Sequence, residues 1–107
     1  MKGKIILVPF PFTDLSGSKL RPALVLFETG SDVVVAFISS QLMVNTYGVT
    51  VGERHSDYPG TGLKVSSTIR LDKVATLHRG LIEGEIGEVG GALRKEVNDK
   101  LADIYRL

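Results

Sequence analysis

"SGSKLRPALVLFETGSDVVVAFISSQ", residues 16–41, decides the fold. Two runs rich in β-branched and apolar residues, "PALVLF" (22–27) and "VVVAFIS" (33–39), are too short for core helices and read as strands. The "ETGSD" between them is a hairpin turn. Pro22 is placed at the first strand position, where a missing N–H costs least. Proline also disfavours helical conformation in the residue before it, so Arg21 is presented from an extended backbone at the strand mouth.

Outward from this hairpin the chain keeps a β character. "GKIILVPF" (3–10) is a further strand, and "PFPFTDLSGSKLR" (9–21) is a loop whose prolines forbid a central ladder. "YGVTVG" (47–52) is a short strand, and "ERHSDYPGTG" (53–62) is a loop. "LKVSSTIRLDKVATLHR" (63–79) contains two strands with a bend between them. After "GEVGG", Leu93, Val97, Leu101, Ile104 and Tyr105 recur at helical spacing, with charges on the other faces. Many short strands and one closing amphipathic helix imply a mainly β protein with a C-terminal helix, a small and strongly bent antiparallel barrel. Residues 1–107 read as one domain, without repeats or linkers.

Composition narrows the setting. The 107 residues are 43% hydrophobic and 23% charged, as in an ordinary soluble globular protein. The absence of cysteine excludes disulfides and thiolate metal sites and suits a reducing cytoplasm. No apolar run is long enough to span a membrane, and the N-terminal stretch lacks a signal-peptide cleavage site. Net charge is only +1. Between Arg54 and Arg79, however, five basic residues face two acidic ones. A local positive face and an evenly solvated surface are both open on these grounds.

Three places carry candidate chemistry. The guanidinium of Arg21 suits a phosphate, because it can donate two parallel hydrogen bonds; the alternative is a charge sitting in water at the rim. In "ISSQ" (38–41), Ser39 and Gln41 share a face if the strand continues, or simply form a polar strand end. In "STIRLDK" (67–73), Arg70 and Asp72 point to one side while Ile69 and Leu71 point to the other. They form either a structural ion pair or a base beside a phosphate clamp. His55 and His78 are isolated, with no partner at metal spacing, and neither a metal nor a cofactor is expected.

The order "VPFPFTD", "RPALVL", "ISSQ", "STIRLDK" and a terminal helix resembles the PemK/MazF family of bacterial toxins, closest to its PemK-like branch. The resemblance covers nearly the whole chain. It implies an SH3-like barrel of the PemK/MazF/CcdB toxin type. The implied activity is a cytoplasmic endoribonuclease that cuts single-stranded RNA, usually messenger RNA, at specific sequences. It further implies a homodimer held inactive by a cognate antitoxin. The implied chemistry is metal-free: the RNA 2′-hydroxyl attacks the adjacent phosphate and leaves 2′,3′-cyclic phosphate and 5′-hydroxyl ends.

Residue by residue, the family's catalytic arginine falls on Arg21, and its assisting threonine falls on Ser39, which keeps the hydroxyl. The acid and base roles of the PemK-like "R-x-D" fall on Arg70 and Asp72. RNA placement falls to Lys19, Gln41, Phe12 and Tyr58, taken from their loop positions as phosphate or stacking contacts. A first-loop histidine found in some PemK members has no counterpart in "TDLSGSKL". Two other functions are carried as alternatives: a gyrase-poisoning toxin of the CcdB type and a plain SH3-like binding module. The first is associated with a C-terminal tryptophan, and this chain has none; the second needs an aromatic groove that 7% aromatic residues hardly supply.

Overall fold

A computed structural model describes residues 1–10, 19–42 and 47–107. The elements are β1 (Lys4–Phe10), β2 (Lys19–Glu28), β3 (Asp32–Ser39), β4 (Gly48–Val51), α1 (Tyr58–Thr61), β5 (Ser67–His78), a 3₁₀ turn (Arg79–Leu81), β6 (Gly84–Glu88) and α2 (Gly91–Ile104). The strands form one antiparallel sheet in the order β4-β5-β3-β2-β1-β6.

The unbroken apolar runs of β1, β2 and β3 follow from burial on both faces. Ile5, Leu24, Ala36 and Ile38 join a core cluster that includes Leu93 and Val97 of α2. Their neighbours Ile6, Ala23, Val25 and Val35 fill a second cluster, with Val8, Val33 and Leu77. Alternation therefore sends adjacent residues into two cores, so no polar face appears in the sequence. Pairing slips at three places: opposite Ile86 on β6, at Leu26 on β2, and over Leu71–Lys73 on β5. Such extra residues bend and twist a strand, and here they curl the sheet.

The strands are placed as the sequence implies, with four corrections. Pro22 is the fourth residue of β2, not the first. It is tolerated because pairing with β3 begins only at Ala23, so its missing N–H breaks no bond to that strand. Residues 63–79 hold one strand, β5, and the anticipated bend is its interruption at Leu71–Lys73. The glutamate-rich "GEIGE" is a strand, β6, paired with β1; two glycines and two charges hid it from a propensity reading. The loop 53–62 contains the single helical turn α1.

Close backbone packing joins α1 to β6. Gly62 adopts φ 72°, and a Cβ there would strike the Ile86 carbonyl. A Cβ on Gly87 would strike the Gly60 carbonyl and Thr61.

Helix α2 lies across β4, with Leu93 and Val97 buried and Leu101 and Ile104 packed beside them. Burial of Leu93 contributes roughly 1.5–3 kcal/mol. The helix begins at Gly90–Gly91, which offer no capping side chain. Asp57, far away in sequence, supplies the cap: its Oδ2 accepts the Leu93 N–H at 2.8 Å. His55 supports this loop. Its Nδ1 accepts the Asp57 N–H at 3.0 Å, and its Nε2 lies 2.6 Å from Glu96 Oε2 on α2. Among the described residues no helix is long and apolar enough to cross a membrane.

The borrowed cap is open to test. Asp57→Ala should lower stability by about 1 kcal/mol, the usual worth of a helix cap, read as a lower urea midpoint with an unchanged slope.

Candidate active site

A cleft of about 1080 Å³ opens among β1, β2, the end of β3, residues 62–67 and β5. Five of the residues singled out in the sequence line it: Arg21, Ser39, Gln41, Arg70 and Asp72. They come from separate stretches that β2, β3 and β5 bring together as sheet neighbours. Its charged lining is four cations (Arg21, Lys64, Arg70 and Lys73) against one carboxylate, Asp72. The apolar part of the wall includes Phe10 and Phe37, whose ring centroids are 4.7 Å apart.

Each side chain is held differently. Arg21 sits in β2 opposite Val8, is exposed, and makes no ion pair among the described residues. Strand β3 ends at Ser39 rather than continuing. The chain turns there, and Ser39 Oγ accepts the Gln41 N–H at 3.1 Å. That bond occupies one lone pair and leaves the hydroxyl proton for another acceptor.

Arg70 and Asp72 form a two-pronged pair, with Nε to Oδ1 at 2.8 Å and Nη2 to Oδ2 at 2.7 Å. The hydrogen bonds from Arg70 hold the Asp72 carboxyl below its ordinary pKa, against a smaller opposing effect of burial. The same bonds raise the pKa of Arg70. Leu71, between them, is fully buried in the main core.

Other candidates lie elsewhere. Lys19 is exposed at the start of β2, opposite Phe10, and does not line the cleft. Tyr58 opens α1 and packs half-buried against the main core, also away from the cleft lining. Phe12 lies outside the described residues. Both histidines accept backbone N–H bonds, His55 from Asp57 and His78 from Gly80.

Lys64 and Lys73 were missed. Strict alternation would send Lys73 to the side of Leu71, and only the break in pairing with β3 lets Asp72 and Lys73 both reach the cleft. Lys64 sits in a segment that reads as strand in the sequence but is loop in the structure.

The model of the PemK-like, MazF-like toxins of type II toxin–antitoxin systems matches residues 1–105. Among solved structures, the chain is similar to an endoribonuclease in complex with its cognate antitoxin from a mycobacterial species, at 19% identity and TM-score 0.75, over 96% of this chain and 91% of that one. It is similar to the Mycobacterium tuberculosis toxin MazF-mt6 at 20% identity and TM-score 0.74, over 97% of each chain. It is also similar to a chain of MazE–MazF from Deinococcus radiodurans, at 20% identity and TM-score 0.73, over 96% and 92%. No match was found among curated protein sequences.

The depressed Asp72 pKa has a consequence for stability. A folded-state pKa below the unfolded value stabilises the fold above the unfolded pKa, and that gain disappears as pH falls through the folded one. The stability difference between the wild type and Asp72→Asn, no more than about 1 kcal/mol for so accessible a pair, should be constant near neutrality and shrink below about pH 4. Urea titrations from about pH 7 down to pH 3 check this.

Proposed function

The chain belongs to the PemK-like, MazF-like toxins of type II toxin–antitoxin systems, and from that premise we propose that it is a cytoplasmic, metal-independent endoribonuclease that cuts single-stranded RNA in the cleft of Arg21. One observation carries the reading: Arg21, Ser39, Arg70 and Asp72 line one cleft with an excess of positive charge. The substrate brings its own nucleophile, so the protein has only to place the strand, move two protons and stabilise charge on phosphorus. The 2′-oxygen bonds to the adjacent phosphorus as its proton leaves. The bond from phosphorus to the 5′-oxygen breaks, and that oxygen gains a proton. The products are a 2′,3′-cyclic phosphate and a 5′-hydroxyl.

Arg21 is the clamp on the phosphate oxygens. Its planar fork matches two of them, and a preorganised donor of this kind acts where charge develops. Ser39 donates the hydroxyl proton that Gln41 leaves available. Arg70 and Asp72 support the clamp. A carboxylate held at a low pKa is a weak proton acceptor at neutral pH, so the Asp72 environment favours orientation of Arg70 over the role of general base. Gln41, Lys64 and Lys73 line the path of the RNA backbone, and Phe10 and Phe37 offer apolar rings to a base. The gyrase-poisoning alternative rests on an aromatic C-terminus, and here the Tyr105 hydroxyl is already committed to the Leu71 carbonyl.

The partners follow from the same surface. Leu20, Val65 and Val74 are exposed apolar side chains on the cleft walls, which a second copy of the chain would cover to form a homodimer. A cognate antitoxin would place an acidic segment over the cations of the cleft and exclude RNA.

Three measurements check this reading. Purified protein in EDTA should cut a long RNA into discrete fragments ending in 2′,3′-cyclic phosphate, and Arg21→Ala should slow single-turnover cleavage by about 10²–10³-fold with little loss of stability. An Arg21→Ala protein as fast as the wild type would return this arginine to a mere rim charge. Light scattering at micromolar concentration should give the mass of two chains, and an active monomer would remove the dimer.

A further inference from the structure

We propose that Tyr105 is a positioning residue for the Arg70–Asp72 pair, acting from the C-terminal end of α2 through the backbone of Leu71. The catalytic meaning of this inference rests on the reading above; the structural link stands on its own.

The link begins with the break in β5. Arg70 pairs with Phe37 on β3, and the next β5 residue to find a β3 partner is Val74, opposite Ala36. Leu71, Asp72 and Lys73 lack that support, although Asp72 carries half of the ion pair in the cleft. Leu71 is held by other means. Its side chain is buried in the core under α2, and its N–H donates to the Tyr47 carbonyl at 3.0 Å. Its carbonyl accepts the Tyr105 hydroxyl.

The last bond matters for the pair. The Leu71 carbonyl belongs to the planar peptide unit that leads into Asp72. Fixing its oxygen fixes the orientation of that plane, and with it the direction from which Asp72 meets Arg70. The hydroxyl is the part of Tyr105 that does this. The residue remains half-exposed, and its backbone N–H is separately held by the Leu101 carbonyl, so the ring is not a core side chain. Tyr105 therefore sets the geometry of a site whose lining does not include it.

The test is Tyr105→Phe, which keeps the ring and removes one oxygen. Single-turnover cleavage of a short RNA should fall about tenfold, the scale expected when a reacting group is displaced by a fraction of an ångström. Affinity for the same RNA carrying a 2′-deoxy residue at the cut should change less than about twofold, since uniform binding is untouched. In an Asp72→Asn background, Tyr105→Phe should cost nothing further, because it acts through that carboxylate. The Arg70 Nε–H signal in ¹⁵N spectra should move in Tyr105→Phe toward its position in Asp72→Asn.

An unchanged rate together with an unchanged Arg70 signal would overturn the proposal. So would a loss that repeats in full in the Asp72→Asn background, or one confined to RNA affinity. The spectroscopic arm separates this proposal from the ribonuclease reading. If the protein left RNA intact while the Arg70 signal still answered to Tyr105→Phe, the positioning link would stand and the ribonuclease reading would fall.

Discussion

Strand β5 does not keep one register with β3 along its length, and the cleft depends on how that ladder yields. It pairs with β4 from Ser67 to Arg70 and with β3 along most of its length, but between Arg70 and Val74 three residues have no place in the β3 ladder. The ladder absorbs them as a register shift, and such extra residues bend and twist the strand. Leu71 goes inward to the core. Asp72 and Lys73 reach the cleft, beside Arg70. A regular strand of the same sequence would have alternated these residues and separated Lys73 from Asp72.

Charge in the cleft is divided between committed and available groups. Arg70 is bound to Asp72 by two hydrogen bonds, which makes the pair nearly neutral and geometrically stiff. Arg21, also in the cleft, makes no ion pair among the described residues. The cleft thus holds one guanidinium oriented by a carboxylate and, in Arg21, one exposed guanidinium.

Helix α2 closes the core and ties distant segments to it. Its first turn takes a cap from Asp57, its outer face pairs Glu96 with His55, and past its end Tyr105 reaches the Leu71 carbonyl. The helix thereby holds the loop before α1 and the interrupted strand at once. The two histidines, which invite a catalytic reading in a nuclease, serve as backbone acceptors.

Local chemistry made much of this legible before any coordinates. The apolar runs of β1 to β3, the turn at 28–32 and the spacing of Leu93, Val97, Leu101 and Ile104 each express a short-range preference, and the sheet and helix follow from them. Arg21, Ser39, Arg70 and Asp72 were legible too, since each is a polar group placed against an apolar run. Strand β6 was not: "GEIGE" has little β propensity, and it is a strand because β1 offers it an edge and α1 packs against its Gly87. Lys73 in the cleft, Asp57 on α2 and Tyr105 on Leu71 were equally hidden. Each depends on a long-range register or on contact between segments more than thirty residues apart, and no window of sequence contains both partners.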